Sequence, residues 1–259
     1  MQQFAKWEGT GNDFILVDDR AGTFPVEDLG LVRRLCDRHF GVGSDGLILL
    51  QRPRDPGHAY HMEFFNPDGS KSFCGNGSRC AYGFWSALTG DRRPVRFSAV
   101  DGDHAAAWSD GLVRIAMRDV ERVEHLDDRT DRIHTGSPHL LVWVDDPAAV
   151  DIIPEARRIR YNAEYARSGI NVNFIRSLGG RVEMRTYERG VEDETLSCGT
   201  GVTAAALAAM SRGLAGASCE VVTRGGALRV EAERASGAGF IHVHLAGPVR
   251  HVFTGTLVE

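Results

Sequence analysis

The chain has 259 residues, 42% of them hydrophobic and 25% charged, with a formal net charge of −5. That is the composition of an ordinary globular protein, long enough for one large core or two medium ones, and it offers no basic surface for nucleic acid. No apolar stretch reaches the roughly 20 residues that would span a bilayer, and the first residues have no hydrophobic signal region, so neither a membrane nor export is expected and the cytoplasm is the expected compartment.

In chain order, short apolar runs alternate with glycine and proline. Phe14-Ile-Leu-Val17 reads as a strand, residues 27–39 as a helix with Leu29, Val32 and Cys36 on one face, and Leu47-Ile-Leu-Leu50 as a strand. Helical runs follow over 76–88 and, after the strands Val113–Met117 and Leu140–Val144, from Pro154 through Ala156, Ile159, Ala163 and Ala166. Val182–Tyr187 is a strand, 200–212 a helix, and Leu228–Ala232 and Ile241–Leu245 are cleanly alternating strands. Gly90 and Gly213 stand where glycines end helices. The charge-crowded stretch Asp119–Arg132 is the best candidate for a crossing between two halves.

Five cysteines, Cys36, Cys74, Cys80, Cys198 and Cys219, are odd in number and irregular in spacing, which argues against a disulfide framework. Nor do they form a Cys-x-x-Cys pair or lie near paired histidines, so no metal site is expected. Two of them open matching motifs, Cys74-Gly75-Asn76-Gly77 and Cys198-Gly199-Thr200-Gly201, 124 residues apart, each leading into a helical run. Glycines at a helix start leave backbone N–H groups open to an anion, and the same groups and the helix dipole lower the pKa of a thiol held there. Two such thiols, one ionised and one protonated, could take a proton from one face of a carbon and return one to the other, with no cofactor. The plainer reading is two packed, buried cysteines. Cys36 and Cys80 are expected to be structural. Gly41-Val-Gly-Ser-Asp-Gly46 fits the dinucleotide glycine pattern, but a helix precedes it and a strand follows, the reverse of the phosphate-binding order.

Taken together the motifs resemble those of the diaminopimelate epimerases. The segments carrying the likeness are Gly9–Phe14, Asp37–Gly46, Phe65–Ser70, Cys74–Gly77, Gly136–His139, Asn171–Phe174, Tyr187–Val191, Cys198–Gly201 and Gly247-Pro248. The resemblance implies an α+β fold of two pseudo-symmetric halves, each a curved, mostly antiparallel sheet around a central helix, with the active site in the cleft between them. It places one half at 1–120 and the other at 121–248, with 249–259 returning to the first. It implies a small amino-acid substrate, no cofactor, and a homodimer with the Phe253 region at the contact.

By the same resemblance, Cys74 and Cys198 match the two catalytic bases, and His139 and Glu188 match residues that tune them. Asn12, Asn66 and Asn171 match substrate-binding amides, which both donate and accept and so suit an amino acid. Gly75-Asn76 and Gly199-Thr200 match the carboxylate cradle. Glu188 and Arg189 match the pair that reads the far end of the substrate, the arginine by a two-pronged grip on a carboxylate. The chain departs from the pattern at Ser137, where an asparagine is usual, and at Gly46, where a glutamine is usual. It is one residue shorter between Asn66 and Cys74 and one longer between Arg189 and Cys198, through Glu192-Asp193, changes expected to bear on lid closure and substrate tolerance. The alternatives are a proline- or hydroxyproline-type racemase, disfavoured by Asn76 where those proteins carry histidine, and a thiol redox protein built on Cys74 and Cys198.

Overall fold

The computed structural model describes residues 2–257. Contacts divide the chain into two compact units, one formed by residues up to Ile115 with those from Gly247 onward, the other by Ala116–Ala246. Of the expected returning segment 249–259, the last two residues lie outside the described residues, as does Met1.

Along the first unit run β1 (Gln2–Gly9), β2 (Asn12–Asp18), α1 (Leu29–Cys36), β3 (Leu47–Gln51), β4 (His61–Phe65), α2 (Gly75–Thr89), β5 (Val95–Ala99), β6 (Gly102–Ser109) and β7 (Leu112–Ala116). The second holds β8 (Glu124–Asp127), β9 (Thr130–His134), β10 (Pro138–Trp143), α3 (Ile152–Arg160), β11 (Asn171–Leu178), β12 (Arg181–Glu188), β13 (Asp193–Thr195), α4 (Gly199–Ser211), β14 (Ser218–Thr223), β15 (Gly226–Arg234) and β16 (Phe240–Gly247). The chain then continues into β17 (Arg250–Leu257), which pairs with β1.

Each unit repeats one pairing pattern. In the first, β17, β1 and β2 pair antiparallel, β2 and β3 parallel, β3 and β4 antiparallel, β4 and β5 parallel, and β5, β6 and β7 antiparallel. The second gives the same sequence of senses through β8, β9, β10, β11, β12, β14, β15 and β16. A parallel pair needs a long crossover, and each of the four crossovers carries one α-helix. Two of these helices, α2 and α4, pack against strands all along their unit's sheet. A helix surrounded in this way must be apolar on every side, as α4 is from Gly201 to Met210. α2 buries aromatic side chains (Tyr82, Phe84, Trp85) together with polar ones that find partners, Arg79 among them, and Gly83 leaves room for the Trp7 ring and Val249.

The other face of each sheet carries the short helix. Ile15, Val17, Leu47 and Leu49 pack with Val32, Leu35 and Cys36 of α1. Val172 and Phe174 of β11 pack with Ile152 and Ala156 of α3. Strand alternation therefore sends Asn171 and Asn173 to the face opposite α3.

Several boundaries differ from those expected. α1 ends at Cys36 rather than 39, because the Asp37 carboxylate accepts from the N–H groups of His39 and Phe40 and starts a new turn. α3 begins two residues before Pro154 and stops at Arg160, where Asn162 accepts from Glu164 and Tyr165, so Ala163 and Ala166 lie in turns. The charged stretch 119–132 is folded, with most of it in the β8–β9 hairpin. Its fully buried Asp131 accepts from Trp143, His125 and Arg212, so the buried charge is fully partnered.

Candidate active site

In the first unit, Cys74 caps the N-terminus of α2, and its sulfur accepts from the Gly77 N–H at 3.3 Å. A side chain at Gly77 would meet Ile48 at 3.1 Å and the Cys74 Cβ at 3.3 Å, so the glycine permits this tight turn. Asn12 stands beside the thiol. Its amide nitrogen donates to Asp45 at 2.6 Å, which turns its oxygen towards Cys74 (3.8 Å) and the Asn76 amide (3.2 Å). Arg79, fully buried one turn along α2, donates to Asn76 at 2.9 Å and to Thr10 at 3.2 Å. Asn66 forms a separate cluster, donating to Ser70 and Ser72.

In the second unit, Cys198 caps α4 with similar extended backbone angles, φ −118° and ψ 112°, but without a side-chain capping bond. Its sulfur instead lies 3.4 Å from the Thr200 hydroxyl. That hydroxyl is 2.9 Å from His139 Nε2, and His139 Nδ1 is 3.2 Å from the Asn173 amide nitrogen. Asn171 donates to Ser137 at 2.9 Å and accepts from the Arg189 N–H at 2.8 Å. Arg189 is exposed and lies over Gly169, where any Cβ would stand 2.4 Å from the arginine Cδ. Glu188 accepts from Thr195 on β13 at 2.9 Å.

The matched residues thus gather in two clusters, Cys74, Asn12 and Asn76 in one unit, and Cys198, Thr200, His139, Asn171 and the Glu188-Arg189 pair in the other. The two departures have physical accounts. Ser137 spends its hydroxyl on Asn171. At Gly46 a Cβ would stand 2.4 Å from the Phe64 ring, so that ring fills the space of the usual glutamine. The extra length before Cys198 is pinned, since Glu192 accepts from Arg160, Tyr161 and Tyr187. The glycine pattern 41–46 wraps the end of α1, with Val42 and Gly43 donating to the Leu35 carbonyl.

All five cysteines are free thiols. Burial pushes the thiols of Cys36 and Cys80 up, which suits their expected structural role, and raises that of Cys219 to about 11.

The sequence model of the diaminopimelate epimerase family matches residues 4–122 and 132–252. The chain belongs to the diaminopimelate epimerase family. It is 39% identical to the diaminopimelate epimerase of Flavobacterium psychrophilum over 256 residues, covering 97% of this chain and 98% of that one. It is 37% identical to that of Archaeoglobus fulgidus, covering 98% and 95%. Solved structures show the same fold at low identity. A PhzF-family phenazine biosynthesis protein of Bacillus anthracis superposes with a TM-score of 0.74 at 11% identity, covering 100% of this chain and 99% of that one. A hydroxyproline epimerase of Agrobacterium vitis gives 0.71 at 17%, covering 98% and 91%. As a member of the diaminopimelate epimerase family the chain is an isomerase, and no helix among the described residues is long and apolar enough to cross a membrane.

Sequence reasoning passed over Asn173, Arg79 and Asp45. Asn173 was within reach, because in Asn171-Val-Asn-Phe174 the period of two puts both amides on one face.

His139 is fully buried, and that burial, then the nearby His134 and Arg189, lowers its pKa to about 3. The unfolded chain binds a proton at this residue near pH 6.5, where the folded one does not. The stability it confers is therefore present above pH 6.5 and is lost as the pH falls towards 3, by up to about 1.4 kcal/mol per unit. We expect His139→Gln to lose less stability than the parent between pH 7 and pH 4.5. Urea unfolding at both pH values measures this, and equal losses would contradict it.

Proposed function

We propose that the chain interconverts LL- and meso-2,6-diaminopimelate, on the route to lysine and peptidoglycan precursors, with Cys74 and Cys198 as paired acid and base. The observation that carries this is the repeat: two units of the same topology each place a free cysteine at the N-cap of the enclosed helix, in a Cys-Gly-x-Gly turn.

One thiolate takes the Cα proton, so the C–H bond breaks, its electron pair is held by the adjacent carboxylate, and an S–H bond forms. The opposite thiol then gives its proton to the other face, leaving a thiolate in its place. Either direction of turnover uses the same pair in exchanged roles. The reacting carboxylate rests on the N–H groups at the starts of α2 and α4, at Gly75-Asn76 and Gly199-Thr200, where the helix dipoles favour negative charge. Asn12, Asn66 and Asn171 bind the amino acid's polar groups. Arg189 grips the far carboxylate and Glu188 accepts from the far ammonium, a pairing that favours a dicarboxylic substrate over proline. Catalysis uses no cofactor.

In the same reading the protein is cytoplasmic and a homodimer joined through β17, whose Val252 and Phe253 are 48% and 45% exposed. Apolar side chains on a terminal strand support such a contact.

Purified, reduced protein in deuterated water tests the reaction. We expect LL-diaminopimelate to yield the meso isomer with deuterium at the new centre and no added cofactor. No conversion by protein with a full count of free thiols would overturn this reading, and proline and hydroxyproline would be tried next.

A further inference from the structure

The polar chain behind Cys198 has a direction fixed by its ends. Asn173 donates to the Leu140 carbonyl at 3.1 Å, and a carbonyl can only accept, so the atom facing His139 Nδ1 is the amide nitrogen. Nδ1 must accept from it. The single proton of a neutral imidazole then sits on Nε2, which donates to the Thr200 oxygen at 2.9 Å. With that lone pair occupied, the Thr200 hydroxyl proton is free to point at Cys198 Sγ, 3.4 Å away. Thr186 holds the other end of Asn173, at 3.0 Å from its oxygen.

Among the described residues of the first unit, an apolar side chain stands in the corresponding place. Ile48 is the nearest neighbour of Gly77, where Asn173 and His139 are the neighbours of Gly201. Cys74 instead meets the oxygen of an Asn12 fixed by Asp45, an acceptor that suits a protonated thiol. A buried asparagine and histidine in one half, where the other half carries isoleucine, need a reason beyond packing.

We propose that Asn173 is a positioning residue for catalysis: it holds His139 as the Nε2–H tautomer and so turns the Thr200 hydroxyl onto Cys198 as a donor to its thiolate. A hydrogen bond to the charged form favours that form, so the relay favours the thiolate of Cys198. The inference rests on Cys198 being a catalytic base, but its tests do not use the epimerase reaction. Other titratable groups nearby are His134 at the end of β9 and Glu188 and Arg189 at the end of β12, and α4 itself carries none.

The first measurement is the nitrogen-15 spectrum of histidine-labelled protein, with His139 assigned by difference from His139→Gln. We expect a protonated Nε2 and a bare Nδ1; a proton on Nδ1 would overturn the proposal. In Asn173→Asp the carboxylate accepts instead of donating, so the Nε2 proton should be lost and Nδ1 gain one. The second measurement is the pH dependence of iodoacetamide alkylation at Cys198 in a Cys74→Ala background. The midpoint should rise by about one unit in Asn173→Asp, with the rate at pH 7 falling about tenfold. Thr200→Val should raise it similarly without adding charge, and Thr200→Ser should restore it. If Asn173→Asp does not fold, the threonine pair decides. A midpoint unmoved in Thr200→Val would overturn the proposal, whatever the enzyme does to diaminopimelate.

Discussion

Cys74→Ala and Cys198→Ala each lose epimerisation, with kcat falling by about 10⁴-fold or more. The reason is stoichiometric. Inversion needs a group to remove a proton from one face and another to supply one to the opposite face, and each unit offers one thiol at its helix start. The double variant should be scarcely worse than either single one, because a pair that acts as a unit is fully disabled by losing one member. Each single variant should keep at most solvent exchange into one epimer, the one whose Cα–H faces the remaining thiol. Deuterium incorporation followed separately from LL- and meso-diaminopimelate reads this directly. Full turnover by either variant would end the two-base scheme.

Arg189→Ala should cost about 10²–10³-fold in kcat/KM, mostly through KM, from the loss of a charge-assisted two-point grip. The side chain is well placed for this. Its backbone is tied to Asn171, its guanidinium donates to the Ser168 carbonyl, and Gly169 clears space beneath it. Being exposed, it contributes little to folding, so melting should shift little. Arg189→Lys keeps the charge but not the fork and should recover only part of the loss. Steady-state kinetics with diaminopimelate decide it, and an unchanged kcat/KM would remove Arg189 from substrate recognition.

Much of the site was legible because its chemistry is local in the chain. Cys-Gly-x-Gly before a helical run specifies the cap, the turn and the thiol together, and both motifs fold as their residues require. The central helices were legible within one residue at each end, since Gly90 and Gly213 stop them. The strands were less so. β1, with Lys6 and Glu8 among its apolar residues, and β6, with Gly, Asp and three alanines, carry no β-branched residue and hold their place through the strands they pair with. β9 looks like a solvated charge run, but its Asp131 is buried against Arg212, a residue 81 positions away. Gly46 could be seen as a missing side chain but not as a Phe64 ring in its place. The relay through Asn173 joins β10, β11 and α4, and only the folded register aligns His139 with Asn171 and Leu141 with Asn173.

The place of β17 bears on how the protein is made. In the second unit the outermost strand, β8, is synthesised just before its partner β9. In the first unit the matching place beside β1 is filled by β17, made after all the other strands of its sheet. The N-terminal unit therefore waits with one edge of β1 unpaired until β17 is made, while the C-terminal unit has every strand of its own sheet in hand by Gly247. The first unit's completion is a contact between strands far apart in sequence, a slow kind to close and one exposed to mispairing while it waits. An isolated N-terminal half would keep Cys74 but lack the strand that closes its sheet.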